Sequence, residues 1–442
     1  MKTNFYKDYF NIFFPLFFVF SFELSNSLIN TFFISSLGEN QLAGVGLAFA
    51  FKLFIIVTFS SFASALSVNI SRAYGSNKTE RMKIKIFIGF LLSFLFSLII
   101  LSLVWLFSND ILSIFNSNDE VSFYLSEYFN IWIYSIPLFS IISISSATMN
   151  STGNSKILSI ISLFGILLNI IFDYALIFGI EGYVDAKGVA GAALAGNYVM
   201  AIYSIVIPFF LYKKGLISFY YKNIPKLIII SKKILSLASH FLLAGVSFPI
   251  SVIVLNSIVS NYSVETIAAF GLISRMDLLF LVVSSSSSST INILSSKFYG
   301  AKQFSKINMT FALSNKIIIL WGLIMLTIFF LFGREISSLF LTSKESIETF
   351  YSSWLLLLFG MILFGLTSHI SRLFTSLKAP KYGTFIILFR NISIILFPFF
   401  ISKYFGFFYF ILSIPIINFI TLLLALYLYS KHKKRLFSYS HK

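Results

Sequence analysis

Long apolar runs, each close to twenty residues and each ended by a short polar break, recur from one end of this chain to the other. A helix needs about 20 apolar residues to cross a bilayer, and about 35 with its loop. At that spacing 442 residues hold roughly twelve spans. They run approximately over 9–36, 45–70, 86–107, 123–148, 157–180, 189–211, 234–260, 267–296, 314–333, 350–374, 383–402 and 405–430. Only 11% of the residues are charged and mean hydropathy is +0.90, which excludes a soluble enzyme, a disordered chain and a fibrous protein. The expected fold is an all-α polytopic membrane protein. The run Ser284 to Ser289 does not break its span, because a serine hydroxyl can bond its own helix backbone. Small residues there also let neighbouring helices approach closely.

The loops orient the chain. With the N-terminus in the cytoplasm, the inner segments are 1–8, 71–85, 149–156, 212–233, 297–316, 372–382 and 431–442, and they carry 26 of the 33 Lys and Arg. The outer loops hold Lys187, Arg334, Lys344 and Lys403, and only Lys52, Arg275 and Arg390 lie near or within spans. That asymmetry puts both termini inside and requires an even number of spans. The net charge of +17 is then a product of topology, so nucleic acid is not an expected partner. Met1 to Phe10 has no small-residue cleavage site behind it and reads as the start of a retained first helix. Cysteine is absent, which removes disulfides, thiolate metal sites and a Cys nucleophile.

An internal repeat divides the chain. Leu42-Ala43-Gly44-Val45-Gly46-Leu47 matches Ile267-Ala268-Ala269-Phe270-Gly271-Leu272 at an offset of 225. At the same offset Arg72-Ala73-Tyr74-Gly75-Ser76 matches Lys297-Phe298-Tyr299-Gly300-Ala301, and the segment 149–156 matches 374–381. An offset of six helices starts both copies on the same side, so the repeats are parallel. The expected domains are a six-helix lobe over 1–211, a basic cytoplasmic linker over 212–233, and a second six-helix lobe with a short basic tail over 234–442. Two such lobes related by pseudo-two-fold symmetry around a cleft form the architecture of an alternating-access transporter. The linker lysines either touch anionic lipid headgroups or simply obey the positive-inside rule.

Ionisable groups at membrane depth are costly, so each is a candidate site. Glu23, Asn26 and Asn30 are spaced 3 and 4 along the first span, on one helix face. Asn169 and Asp173 are four apart in the fifth. If the two faces meet, they make an oxygen-rich pocket able to take a proton or a small hard cation such as sodium. The bland alternative is a polar cluster that only ties helices together. Asp277, two residues from Arg275, reads as paired elsewhere or snorkelling to the headgroups. His240 and His369 read as interfacial polar groups. No GxxxxGK[ST] loop is present, so no nucleotide drives transport from this chain, and no HExxH, GxSxG or His/Cys metal cluster is found. No catalytic residue, resident metal or cofactor is expected.

The chain resembles the multidrug and toxic compound extrusion (MATE) family over nearly its whole length. The resemblance rests on Pro15 with Asn30-Thr31, Leu37-Gly38, Leu42 to Gly46, Arg72-Ala73-Tyr74-Gly75, Asn169 with Asp173 and Ile177-Phe178-Gly179, and Gly188 to Ala193, in that order. It implies a non-enzymatic, twelve-helix antiporter of the bacterial inner membrane that exports cationic, amphipathic drugs in exchange for protons or sodium. It implies that Asn169 and Asp173 match the family's first-lobe cation site; the spacing along the first span adds Glu23 and Asn30 to the expected cation-coupling residues, and Asn26 and Asn197 are expected on the substrate cleft. The sequence departs from the pattern where Asn30 replaces the usual Asp, Glu23 the common Gln, and Gly196-Asn197 a Thr. Second-lobe acids of the NorM-like branch are not evident, and the DinF-like branch fits better. A lipid-linked precursor flippase of the wider superfamily stays open as an alternative, although such proteins carry more cleft Arg and Lys. A membrane-embedded acyl transferase is a further alternative that leaves the repeat unexplained.

Overall fold

The structure, a computed structural model, describes residues 2–113, 119–217 and 224–437. The centre of the basic linker, 218–223 with Lys222, and the tail 438–442 lie outside the described residues. Fourteen helices occupy what is described. They are α1 (Lys2–Ser35), α2 (Glu39–Gly75), α3 (Thr79–Leu106), α4 (Ser108–Ser113), α5 (Asp119–Trp132), α6 (Ser135–Ser151), α7 (Ser155–Ile177), α8 (Gly188–Lys213), α9 (Ile224–Val259), α10 (Val264–Gly300), α11 (Phe304–Ser338), α12 (Lys344–Ser376), α13 (Pro380–Phe405) and α14 (Phe407–Phe437). Eleven are long and apolar enough to cross a membrane, and α5 with α6 makes a twelfth span if the bent pair counts as one. All backbone polar groups of a lipid-exposed segment must be satisfied within it, which is why the chain uses helices throughout.

The chain forms two compact units. One is Phe14–Leu242. The other is Leu243–Lys442 together with Met1–Phe13, so α1 and α9 each give residues to both.

The repeat seen in the sequence recurs in the helix bounds. Four helix starts in the first unit, at Glu39, Thr79, Asp119 and Ser155, return 225 residues later at Val264, Phe304, Lys344 and Pro380. Left-handed residues follow the same register. Asn77 (φ 55°) and Lys302 (φ 59°) are equivalent, and so are Gly153 (φ 81°) and Lys378 (φ 64°). A side-chain bond is repeated as well. Ser151 Oγ donates to the Ser67 carbonyl at 3.2 Å, and Ser376 Oγ to the Asn292 carbonyl at 3.4 Å.

One span departs from the expected pattern. The fourth expected span, 123–148, is two helices, α5 and α6, meeting at 53°. The cause is Pro137. Proline has no N–H to give to Ile133, and its ring clashes with the carbonyl four residues back. The ladder therefore stops there, and Ile136 N bonds Ile133 O in a turn instead. The equivalent residue in the second unit is Ile362, and α12 runs unbroken from Lys344 to Ser376.

Small residues set the closest approaches. A Cβ on Gly191 would collide with the Leu176 carbonyl, so the Gly188 to Ala193 stretch lets α8 lie directly on the end of α7. Gly165 leaves room for the Tyr203 hydroxyl, which donates to the Ser162 carbonyl at 3.1 Å. In the second unit Ser284, Ser286, Ser287 and Ser288 are buried in α10. Ser288 meets Ser368 on α12 at 3.2 Å, and Ser286 donates to the Val282 carbonyl of its own helix.

Candidate functional site

Helix α7 has two faces. Phe164, Leu167, Ile171 and Tyr174 are exposed, whereas Gly165, Asn169, Asp173 and Ile177 are buried. Apolar residues turned outward and polar ones turned inward suit a lipid-facing helix, where burying an acid needs a reason beyond packing. Asn169 Nδ2 donates to Asp173 Oδ2. Asp173 is wholly buried, and its Oδ1 has no hydrogen-bond partner among the described residues. The two residues that share a helix face in the sequence are thus brought into direct contact.

The cation whose charge reaches Asp173 is Lys52, on α2. Its ammonium lies 5.8 Å from the centre of the Trp132 ring and 6.0 Å from that of Tyr128, and is 3.4 Å from the Tyr128 hydroxyl. A ring face attracts a cation through its quadrupole. Lys52 and Asp173 make no contact ion pair; among the described residues that form of pairing occurs at exposed Arg334 and Glu348. Sequence reasoning noted Lys52 near a span and gave it no role. Its significance lies in the aromatic pair beside it, which the fold brings from α5.

The other first-unit candidates sit apart from this pair. No hydrogen bond or ion pair joins Glu23, Asn26 or Asn30 to Asn169 or Asp173 among the described residues. Glu23 is exposed on α1, and its charge reaches Tyr203 on α8. Asn26 has a buried Oδ1 without a partner. Asn30 is partly buried. Asn197 is engaged at the break between α5 and α6. Its Nδ2 donates to the Ile131 carbonyl at 2.7 Å, an orphan of the last turn of α5. Its Oδ1 is buried without a partner. The equivalent residue in the second unit is Leu422, where the helix has no break to satisfy.

The second unit corrects one expectation. His369 is not interfacial but fully buried. Its Nε2 meets Ser287 Oγ at 2.9 Å and its Nδ1 meets Asn315 Oδ1 at 2.7 Å, because small serines on α10 leave space for the ring. Asp277 is half-buried. Its Oδ1 is buried without a partner, and it lies in electrostatic range of Arg390 on α13. His240 is half-buried, with Nδ1 at 2.7 Å from the Ser236 carbonyl.

Two units with the same helix register, and in each a carboxylate with a buried, unpartnered oxygen, Asp173 and Asp277, fit a polytopic helical membrane transporter. The MatE family model matches residues 15–175 and 242–400, one match in each half. The chain belongs to the MatE family, whose members are transporters and not enzymes. An "FAD transporter" of Shewanella oneidensis is 24% identical over 331 residues, covering 74% of this chain and 72% of that protein. The "Probable multidrug resistance protein YoeA" of Bacillus subtilis is 23% identical over 343 residues, covering 76% of this chain and 73% of that one. Among solved structures, an outward-facing multidrug resistance MATE family transporter aligns with a TM-score of 0.89 at 19% identity, over 97% of this chain and 96% of the other. A mutant of the Vibrio cholerae MATE transporter VcmN aligns with a TM-score of 0.89 at 18% identity, over 98% of this chain and 99% of the other.

Proposed function

We propose that this MatE-family protein is a secondary active efflux antiporter. It exports cationic, amphipathic compounds in exchange for protons by alternating access of two lobes, 1–211 and 234–442, joined by the linker 212–233. It sits in the bacterial inner membrane with both termini in the cytoplasm, and its sequence pattern fits the DinF-like branch. The observation that carries the coupling reading is Asp173: wholly buried, with one oxygen held by Asn169, the other unpartnered, and no contact ion pair. An amide suits both protonation states. Asn169 donates through Nδ2 to the carboxylate, and after an amide flip it can accept through Oδ1 from the acid. A proton fits this donor set better than sodium. A sodium site draws on several oxygens, and the charge of Lys52 reaches the same carboxylate. Glu23 and Asn30 contribute to the same exchange, and Asn26 and Asn197 bring amide oxygens to the substrate cleft.

The test is Asp173→Asn in proteoliposomes. Exchange of a cationic dye such as ethidium for protons should fall at least about tenfold, roughly 1.4 kcal/mol or more, while the variant elutes and melts like the parent. Full exchange by a folded Asp173→Asn protein refutes the assignment.

A second reading concerns substrate charge. Lys52 over two aromatic rings in the first unit can hold an anionic group, and one relative is named an FAD transporter. Export of an anionic dinucleotide such as FAD would use the same proton site. Uptake of labelled FAD into inverted vesicles separates the two readings.

A further inference from the structure

The guanidinium of Arg390 is only 8% exposed as a residue, yet it has no carboxylate in contact. Its Nε donates to Asn418 Oδ1 at 2.8 Å and its Nη1 to Asn391 Oδ1 at 2.9 Å. Its plane is stacked on Phe364, with Cζ 3.7 Å from the ring centre. The braces are themselves braced. Asn418 Nδ2 donates to the Gly360 carbonyl at 2.9 Å, and Asn391 Nδ2 to Ser247 Oγ at 2.7 Å. Arginine has five N–H donors, and these two bonds leave three. Nη2 has no partner among the described residues, and it is not one of the buried atoms sealed without one. Nε and Nη1 bond on separate sides of the guanidinium, and the N–H groups they leave, two on Nη2 and one on Nη1, give an oxyanion donors at its outer end.

Two observations separate this from a structural charge. The nearby acid, Asp277, is in electrostatic range but makes no ion pair, and its Oδ1 stays unpartnered. A merely structural pair would close, whereas here two amides and a phenyl ring hold the guanidinium away. Nor does the repeated fold require a base at this place. The equivalent of Arg390 in the first unit is Gly165, which lies under the Tyr203 hydroxyl.

We infer that Arg390 is the anchor of an oxyanion-binding site in the second unit, taking a phosphate or carboxylate group borne on an amphipathic molecule. Phe364 supplies an apolar surface beside it, and Asp277, in electrostatic range without contact, opposes the arrival of an anion. The site is separate from Asp173, and it is read by equilibrium binding, so a failed coupling reading leaves its test intact.

The test uses the full-length protein in phosphatidylcholine nanodiscs and two fluorescent probes, riboflavin 5′-phosphate and riboflavin. They share one ring system and differ in a phosphate. Anisotropy titration should give at least about tenfold tighter binding of the phosphate probe. Arg390→Gln should erase that preference, and Asp277→Asn should increase it. Equal affinities in the parent protein, no binding of the phosphate probe at millimolar concentration, or a preference that survives Arg390→Gln overturns the inference. Should Arg390→Gln fail to fold, Asn418→Asp decides. A carboxylate placed at the brace must occupy the guanidinium and abolish the preference; a preserved preference is refuting. Nanodiscs containing phosphatidylglycerol identify the source. Loss of the preference there, with its retention in phosphatidylcholine, supports the site with a lipid phosphodiester as its occupant, and retention in both supports a soluble solute.

Discussion

Lys52 and Asp277 stand at the same position of the repeat with opposite charge: each is the fourteenth residue of a 37-residue helix, α2 in one unit and α10 in the other. Each acts electrostatically on a residue of opposite charge from the fifth span of its own unit. Lys52 reaches Asp173 on α7, and Asp277 reaches Arg390 on α13. Gly165, Asn169 and Asp173 are spaced by four along α7, and their equivalents Arg390, Ile394 and Pro398 are all buried on α13. The same buried stripe thus carries an acid in one half and a base in the other, two turns apart.

The break in the fourth span gives a stability prediction. Asn197→Leu leaves the Ile131 carbonyl without its bond and should destabilise the protein by about 1–3 kcal/mol. Pro137→Ile restores a donor for the Ile133 carbonyl and lets the ladder close through the bend, so that Ser135 N takes over the Ile131 carbonyl from Asn197. The double variant copies what the second unit has, Ile362 and Leu422. It should cost less than the two single changes added, by roughly 1 kcal/mol. Thermal melts of the four proteins in one detergent measure the coupling, and strict additivity would refute the account.

Lys302 is an exposed, non-glycine residue at φ 59°. A left-handed conformation costs an L-residue roughly 1–2 kcal/mol, and glycine returns about half of that gain as unfolded-state entropy. Lys302→Gly should therefore stabilise by about 0.5–1 kcal/mol, and Lys302→Val should destabilise. Asparagine, which holds the equivalent position at Asn77, should fall between lysine and glycine. The order of melting temperatures checks this.

Orientation is testable with one label, because the chain has no cysteine. Lys214→Cys, just past the end of α8, should react with an impermeant maleimide in inverted vesicles and resist it in whole cells. Labelling from outside would reverse the topology.

Glu23 and Asn30 make a rescue experiment. If Glu23 supplies the carboxylate that the MATE pattern puts at the Asn30 position, Glu23→Gln should cripple transport, and adding Asn30→Asp should recover part of it. Helix geometry puts the two residues about 10 Å apart along the axis, so full recovery is not expected. Near-normal transport by Glu23→Gln alone would assign it a packing role.

Much of the frame was legible in the sequence. Runs of twenty apolar residues have one solution in a bilayer, and the offset of 225 reappears in helix starts and in left-handed residues. Asn169 and Asp173 were legible because a spacing of four fixes a helix face whatever else packs there. The bend at Pro137 had its signal, a proline inside a span, but prolines also sit inside α1, α8, α9, α13 and α14, so the residue alone does not say which helix breaks. The burial of His369 depends on serines from another helix. The bracing of Arg390 depends on Asn418, 28 residues away, and on Ser247 behind Asn391. Contacts between distant elements leave no periodic trace in one sequence.

The bond from Ser151 to the Ser67 carbonyl, matched by Ser376 to the Asn292 carbonyl, has a consequence for how the halves drifted apart. The acceptor in both copies is a peptide oxygen, which no substitution can delete. In the first unit Ser67 Oγ also meets Ser151 Oγ at 2.8 Å, a contact given up where the second unit has asparagine, while the bond to the carbonyl stays in both. A scaffold addressed through its main chain tolerates divergence of nearly every side chain around it. The two halves accordingly carry lysine against aspartate, and glycine against arginine, on helices that keep the same starts.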